Sequence, residues 1–288
     1  MSNNSSIDDV LKNAKLKLKS VDIPTFSLDA ELLLMHILKI SRVELVTKSH
    51  TILTSLEQEE YFKLIQRRLK LEPVQYIINK SEFMGLDFYV DKHVLIPRGD
   101  TECLVEEALN YINKNKCKNI IDMCTGSGCI SVSISYLSPY VDRVTAVDIS
   151  KDALSVARQN AIFHNVFDKI NFVESDMFSN LQSDMKNSID LIISNPPYID
   201  TEIIDTLGEN VKNYEPILAL DGKEQGLYFY KEIAKKSKFY LNKSGKLFLE
   251  IGFDQAHSVQ NIFLEAGYKK VNVIKDLSGL DRVIVVDR

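Results

Sequence analysis

Cysteine is scarce in this 288-residue chain, and Cys103, Cys117, Cys124 and Cys129 include no C-x-x-C pair. That pattern points neither to a zinc site nor to the disulfide framework of a small secreted domain. His36, His50, His93, His164 and His257 are too dispersed to nominate a metal cluster, so no metal is expected. No apolar run reaches the roughly 20 residues needed to span a membrane. The opening MSNNSSIDDVLKNAK lacks the basic and apolar regions of a secretion signal. The expectation is a cytoplasmic protein that does not act at a membrane.

A basic excess is missing too. The formal charge is −5, divided as +1 over residues 1 to 75 and −6 over the remainder. Neither part reads as a broad phosphate-binding surface, so no obligate nucleic-acid partner is expected. Arg67, Arg68 and Lys70 form a local basic group, which reads as a solvated helix face. There is no convincing repeat or low-complexity tract.

The first 75 residues read mainly as helices. Val10, Leu11, Ala14 and Leu18 have helical spacing, and Leu28 to Leu38 is a stronger core segment beyond Pro24. Ser55 and Gln58 offer a capping box for a helix through Leu69. Near Glu72-Pro73 the pattern changes. Tyr76-Ile77-Ile78 and Phe88-Tyr89-Val90 favour short extended segments, with Gly85 as a turn between them. A helix is expected after Gly99-Asp100-Thr101-Glu102.

The clearest βα unit begins at Ile120-Ile121-Asp122-Met123 and continues through Cys124-Thr125-Gly126-Ser127-Gly128. Gly126 and Gly128 permit close backbone approach, and the following helix start presents free N–H groups. The full G-x-G-x-x-G pattern is absent because Ser131 fills its last position. By itself the loop is a cofactor cradle or an ordinary tight turn. Asp148 ends the next strand, Val144 to Val147, where its carboxylate can accept ribose hydroxyls. Asp176-Met177 follows a further strand, Asn171-Phe172-Val173, and either borders a ring or caps a loop.

Asn195-Pro196-Pro197-Tyr198 closes the apolar run Leu191-Ile192-Ile193-Ser194. The Asn195 side-chain oxygen and the Pro196 carbonyl can both accept from one NH2, while Tyr198 offers a flat face to the attached π system. As an isolated motif it is either a rigid turn or a catalytic one. Its place at the same sheet end as the glycine loop and Asp148 favours catalysis at a poorly nucleophilic nitrogen, an exocyclic base amine or a carboxamide.

At this point the chain resembles the S-adenosylmethionine-dependent methyltransferases, specifically the bacterial enzymes that modify the glutamine of peptide-chain release factors. Carrying the resemblance are Val94 to Arg98, Thr101-Glu102, Thr125 to Gly128, Asn195 to Tyr198, Tyr214-Glu215-Pro216, Leu249 to Gly252 with Gln255, and Lys275 to Gly279 followed by Asp281-Arg282. Asp29 to Leu34 and Pro73 to Tyr76 match as well. The resemblance implies an α/β Rossmann-like class I fold with a mainly parallel seven-stranded sheet and a reversed late strand. Residues 1–75 would form a helical substrate-docking domain, 76–95 a β-hairpin-like connector and 96–288 the methyltransferase domain.

It also implies that Cys124, Thr125, Gly126, Ser127, Gly128, Asp148, Asp176, Met177 and Asn195 hold S-adenosylmethionine. Asn195, Pro196, Pro197 and Tyr198 would hold the substrate amide, with Asn195, Pro196 and Tyr198 catalytic. The implied partners are release factors, met by a monomer. Four positions depart from the pattern: Cys124 stands where glycine is usual, Gly99 replaces a proline, Asp100 a glutamate and Asn79 a glycine. The competing function is methylation of adenine in DNA or RNA, and a third reading is a noncatalytic cofactor-binding module. Arg98 either orients a carboxylate or forms an interdomain salt bridge, and Glu215-Pro216 shapes a channel or a structural loop. Tyr228-Phe229-Tyr230 reads as packing and His93 as a connector residue.

Overall fold

Ser6, Ser41 and Thr54 each stand at a helix start, and each exchanges hydrogen bonds with an acidic residue three positions on, Asp9, Glu44 and Glu57. The reciprocal bonds satisfy N–H groups that the first helical turn leaves without partners. The computed structural model describes residues 5–288. In it these boxes begin α1 (Ile7–Lys19), α3 (Arg42–Thr47) and α4 (Ser55–Leu69), with α2 (Phe26–Leu38) between the first two. The third box lies one residue earlier than the expected Ser55–Gln58 pair, because Thr54 has the extended backbone of a cap and Ser55 is already helical.

Segment Tyr76-Ile77-Ile78 is helical, not extended. It belongs to α5 (Val74–Ile78), where the Pro73 carbonyl accepts from both the Tyr76 and the Ile77 N–H at 3.1 Å. Pro73, with φ −55°, suits a helix start because it has no N–H to leave unpaired. Asn79 ends the helix at φ +54°. Asparagine tolerates that conformation, so its replacement of glycine leaves the turn intact.

These five helices bury Leu18, Ala30, Leu33, Leu34, Tyr61 and Ile65 in one core. Within it Arg68 is only 8% exposed, its Nε donating to Asp29 Oδ2 at 2.7 Å and its Nη1 to the Glu72 carbonyl at 3.2 Å. Arg67 pairs with Glu72. The basic group is therefore not a uniformly solvated face, since one guanidinium is a buried strut. This compact unit runs to Lys80 and takes in Gly208–Tyr214. The Tyr214 hydroxyl fastens the later segment by donating to the Lys70 carbonyl at 2.7 Å.

The second unit comprises Ser81–Leu207 and Glu215–Arg288, so the transition expected near residue 75 falls at 80/81. It opens with the antiparallel pair β1 (Ser81–Phe83) and β2 (Leu86–Phe88), turned by Met84 and Gly85, both at positive φ. Tyr89 and Val90 lie beyond the strand. The Asn160 side chain takes the place of a strand partner there, accepting from the Tyr89 N–H at 2.8 Å and donating to its carbonyl at 3.0 Å. There follow α6 (Gly99–Asn115), β3 (Asn119–Met123), α7 (Cys129–Leu137), β4 (Arg143–Asp148), α8 (Lys151–Phe163), β5 (Ile170–Glu174) and β6 (Ile189–Ser194). After α9 (Glu209–Lys212), which belongs to the first unit, come α10 (Tyr228–Tyr240), β7 (Leu241–Glu250), α11 (Ala256–Glu265), β8 (Lys270–Lys275) and β9 (Asp281–Asp287).

The seven strands run in the order β5-β4-β3-β6-β7-β9-β8, with β9 antiparallel to both neighbours and the other pairs parallel. Helices cover both faces. Ile120 joins a core with Leu104, Ile130 and Val144, whereas adjacent Ile121 joins another with Ile192, Tyr230 and Phe263. That alternation places successive strand residues on opposite faces. Order reverses at β3, which has β4 on one side and β6 on the other, giving the switch point at which open α/β sheets leave a crevice. Met123 stands in register with Val147 and with Ser194, so three strands deliver their carboxyl ends to that crevice together.

Candidate active site

Asp122 fixes the loop that follows β3. Its carboxyl is fully buried, and Oδ2 accepts from the Thr125 hydroxyl at 2.6 Å, the Ser131 N–H at 3.1 Å and the Ser131 hydroxyl. Burial pushes its pKa up to about 6, with the Ser131 and Thr125 hydrogen bonds pulling the other way. The loop it anchors turns through Cys124 (φ +64°), Gly126 (φ +55°) and Gly128 (φ +78°). A Cβ at Gly128 would lie 3.0 Å from Ala157 Cβ, so glycine there serves both the backbone conformation and the approach of α8. Cys124 adopts the left-handed conformation without glycine's freedom, and the loop keeps its turn despite the substitution noted from sequence.

Asp148, at the end of β4, accepts from the Gly126 N–H through Oδ2 and from the Ser150 N–H through Oδ1, both at 2.9 Å. Burial raises its pKa while these backbone donors lower it. Each oxygen retains an acceptor site, which suits a pair of adjacent hydroxyls. Met177, at φ +50°, brings Sδ within 4.0 Å of Cys124 Sγ.

A cleft of about 1340 Å³, counting its open mouth, joins these groups. Cys124, Thr125, Gly126, Ser127, Asp148, Asp176, Met177, Asn195 and Pro197 line it, together with His93, Arg98 and Thr101. Of the residues singled out from sequence, Gly128, Pro196 and Tyr198 do not line it. Gly128 is turned against Ala157, and Tyr198 directs its hydroxyl to buried Glu250 Oε1 at 3.3 Å.

Asn195 is delivered by β6, whose residues Leu191 to Ser194 are all buried. Ser194 donates to the Met123 carbonyl at 2.6 Å, pinning this strand end to the β3 end. Asn195 Nδ2 donates to Thr101 Oγ1 at 3.0 Å, in the first turn of α6. The amide nitrogen is thereby engaged and its oxygen left to accept from another molecule.

The far end of the turn is held by its backbone. Gln255 Nε2 donates to the Tyr198 carbonyl at 2.9 Å while its Oε1 accepts from the Gly252 N–H at 2.9 Å. A Cβ on Gly226 would lie 2.2 Å from the Tyr198 oxygen, and one on Gly222 would lie 2.7 Å from the Tyr198 Cα.

Arg98 pairs with Glu215 inside the same unit, and Glu215 Oε2 also accepts from the Ile96 N–H at 3.4 Å. Burial raises the Glu215 pKa and Arg98 opposes it. The pair therefore joins the segment before α6 to the loop at Pro216. Tyr230 is wholly buried and donates to the Glu250 carbonyl at 2.8 Å, whereas Phe229 reaches the cleft. His93 binds Asp91 through Nδ1 at 3.0 Å and also lines the cleft.

Residues 9–78 match the family described as PrmC N-terminal domain, and residues 101–213 match the methyltransferase small domain. The release factor glutamine methyltransferase of Clostridium botulinum is 42% identical over 267 residues, covering 93% of this chain and 94% of that one. Its counterpart from Clostridium acetobutylicum is 40% identical, covering 98% of each. The hMettl16 catalytic domain, solved with a MAT2A 3′UTR hairpin, covers 84% of each chain at 16% identity and a TM-score of 0.56, a likeness of fold alone. The extent of the two clostridial matches settles the family: this chain belongs to the release factor glutamine methyltransferases.

Proposed function

We propose that the chain transfers a methyl group from S-adenosylmethionine to the side-chain amide nitrogen of a glutamine in peptide-chain release factors. The observation that carries this reading is the meeting of two half-sites in one cleft: the loop and acid after β3 and β4, and Asn195 after β6. Family membership supports the acceptor, since the clostridial relatives carry release factor glutamine methyltransferase as their name.

The residues present fit the cofactor. Asp148, already anchored by two N–H groups, has acceptor capacity left for the ribose diol. Asp122 and Asp148 give the loop a negative potential suited to a sulfonium and an ammonium group. Cys124 to Gly128 would approach the cofactor through backbone, with Asp176 and Met177 beside the adenine. When bound, S-adenosylmethionine supplies an activated methyl group.

The chain's own part is alignment and charge. Asn195 Oδ1, on the cleft wall, and the Pro196 carbonyl, the next acceptor along the chain though outside the cleft lining, would accept from the glutamine NH2 and hold its nitrogen toward the methyl donor. As positive charge develops on that nitrogen, its N–H groups become stronger donors, so these two acceptors bind the transition state more tightly than the ground state. Tyr198 acts through its hydroxyl, anchoring the turn to Glu250. We assign the helical unit to docking of the release factor.

The test is incubation of the purified chain with methyl-labelled S-adenosylmethionine, an unmodified release factor and adenine-containing nucleic acids, with the methyl group located by mass spectrometry. Label on the glutamine amide is the expected result. Label on adenine alone would overturn the acceptor assignment.

A further inference from the structure

The two ends of the Asn195 to Tyr198 turn are each held by a buried side chain. Tyr198 reaches Glu250 directly, through its hydroxyl to Oε1. Asn195 is held by Thr101, whose Oγ1 accepts from Asn195 Nδ2 at 3.0 Å. Thr101 is 2% exposed and Glu250 1%, so water does not readily replace either partner. We propose, resting on the function given above, that Thr101 is a positioning residue for methyl transfer, setting which end of the Asn195 amide faces the acceptor.

The reasoning is one of donor and acceptor count. A threonine hydroxyl has one proton. Toward Asn195 the Thr101 oxygen is the acceptor, and the only end of an Asn195 amide that donates is Nδ2. Oδ1 is then turned to the cleft. The glutamine NH2 has only donors to offer, so an Asn195 amide rotated by half a turn would set donor against donor and lose the acceptor that favours charge on nitrogen. A hydroxyl on α6 thus fixes an orientation at the end of β6.

Thr101→Val removes the hydroxyl at nearly constant shape, Thr101→Ala removes it without crowding, and Thr101→Ser keeps it. On the full chain, turnover with release factor should fall about 30- to 100-fold in both Val and Ala variants, as misoriented contacts do. The affinity for S-adenosylhomocysteine, measured by calorimetry, should stay within about twofold, and the Ser variant should recover turnover to within about threefold. Turnover within about threefold of native in the Val and Ala variants would overturn the proposal, as would a Ser variant impaired as deeply as they are. A parallel loss of S-adenosylhomocysteine affinity would overturn it also, since it would mark a general structural defect. If the native chain methylates no glutamine amide, the functional reading fails and the proposal with it. If it does and the variants match it, the proposal fails alone.

Discussion

Asn195 donates to Thr101, 94 positions earlier in sequence, placing the first helical turn after Arg98 in direct control of the residue that follows β6. The contact divides the amide into an end committed to protein and an end available to an acceptor. A variant that removes the available end should leave cofactor binding almost untouched.

Asn195→Ala is therefore expected to lower turnover on release factor about 100-fold while S-adenosylmethionine affinity changes less than about threefold. Steady-state kinetics beside calorimetric titration separates the two. A cofactor affinity that falls with turnover would move Asn195 out of the acceptor half-site.

Asp148→Ala should show the opposite pattern. A net loss of about 1.5 to 3 kcal/mol, that of one charge-assisted hydrogen bond, is expected to weaken S-adenosylmethionine binding by about 10- to 100-fold. Calorimetry on the variant checks it, and an unchanged affinity would remove the ribose role.

Glu250 links stability to pH. Burial raises its pKa from 4.5 to about 7, against the pull of Thr101, Arg282 and Tyr198. The folded state therefore binds this proton more tightly than the unfolded chain does. Its contribution is complete below about pH 4.5 and is lost as pH rises through about 7. Glu250→Gln should abolish this component, so the variant gains on the native chain between those limits, by on the order of 3 kcal/mol. Urea denaturation of both proteins from pH 5 to 8 measures the difference. A flat difference curve would place the carboxyl in a more hydrated setting.

Arg68→Ala should destabilise the helical unit by about 3 to 5 kcal/mol, because it leaves the Asp29 carboxylate buried without its partner. Chemical denaturation followed by far-ultraviolet circular dichroism tests this. A loss below about 1 kcal/mol would mean that Asp29 finds another donor or solvent.

Much of the catalytic unit was legible because its signals are local. Leu191 to Ser194 is the run that Asn195 closes, and β6 ends where that run does, beginning two residues earlier at Ile189. The glycine loop and Asp148 could be placed on strand ends from spacing alone. Asp122 could have been found as an acid inside an apolar strand with hydroxyls three and nine residues on. What was hidden depends on contacts distant in sequence. Thr101 and Glu250 stood out only as matched family words, and their meeting with Asn195 and Tyr198 exists only after α6, β6 and β7 are assembled. Tyr76 to Ile78 misled because β-branched and aromatic residues favour strands, whereas the Pro73 carbonyl and the helical core decide in favour of a helix. The edge strand β8 escaped notice because none of its residues is fully buried and no long apolar run marks it. Arg68 read as surface because a basic cluster shows no sign of the Asp29 carboxylate 39 residues earlier.

Gly222 and Gly226 press the Tyr198 backbone from outside with no room for a methyl group. The acceptor turn is thus cast in a mould, unable to relax outward when a larger group enters. A side chain at either glycine would have to displace the Tyr198 backbone, so moving this turn means rebuilding a loop 24 residues downstream of Tyr198.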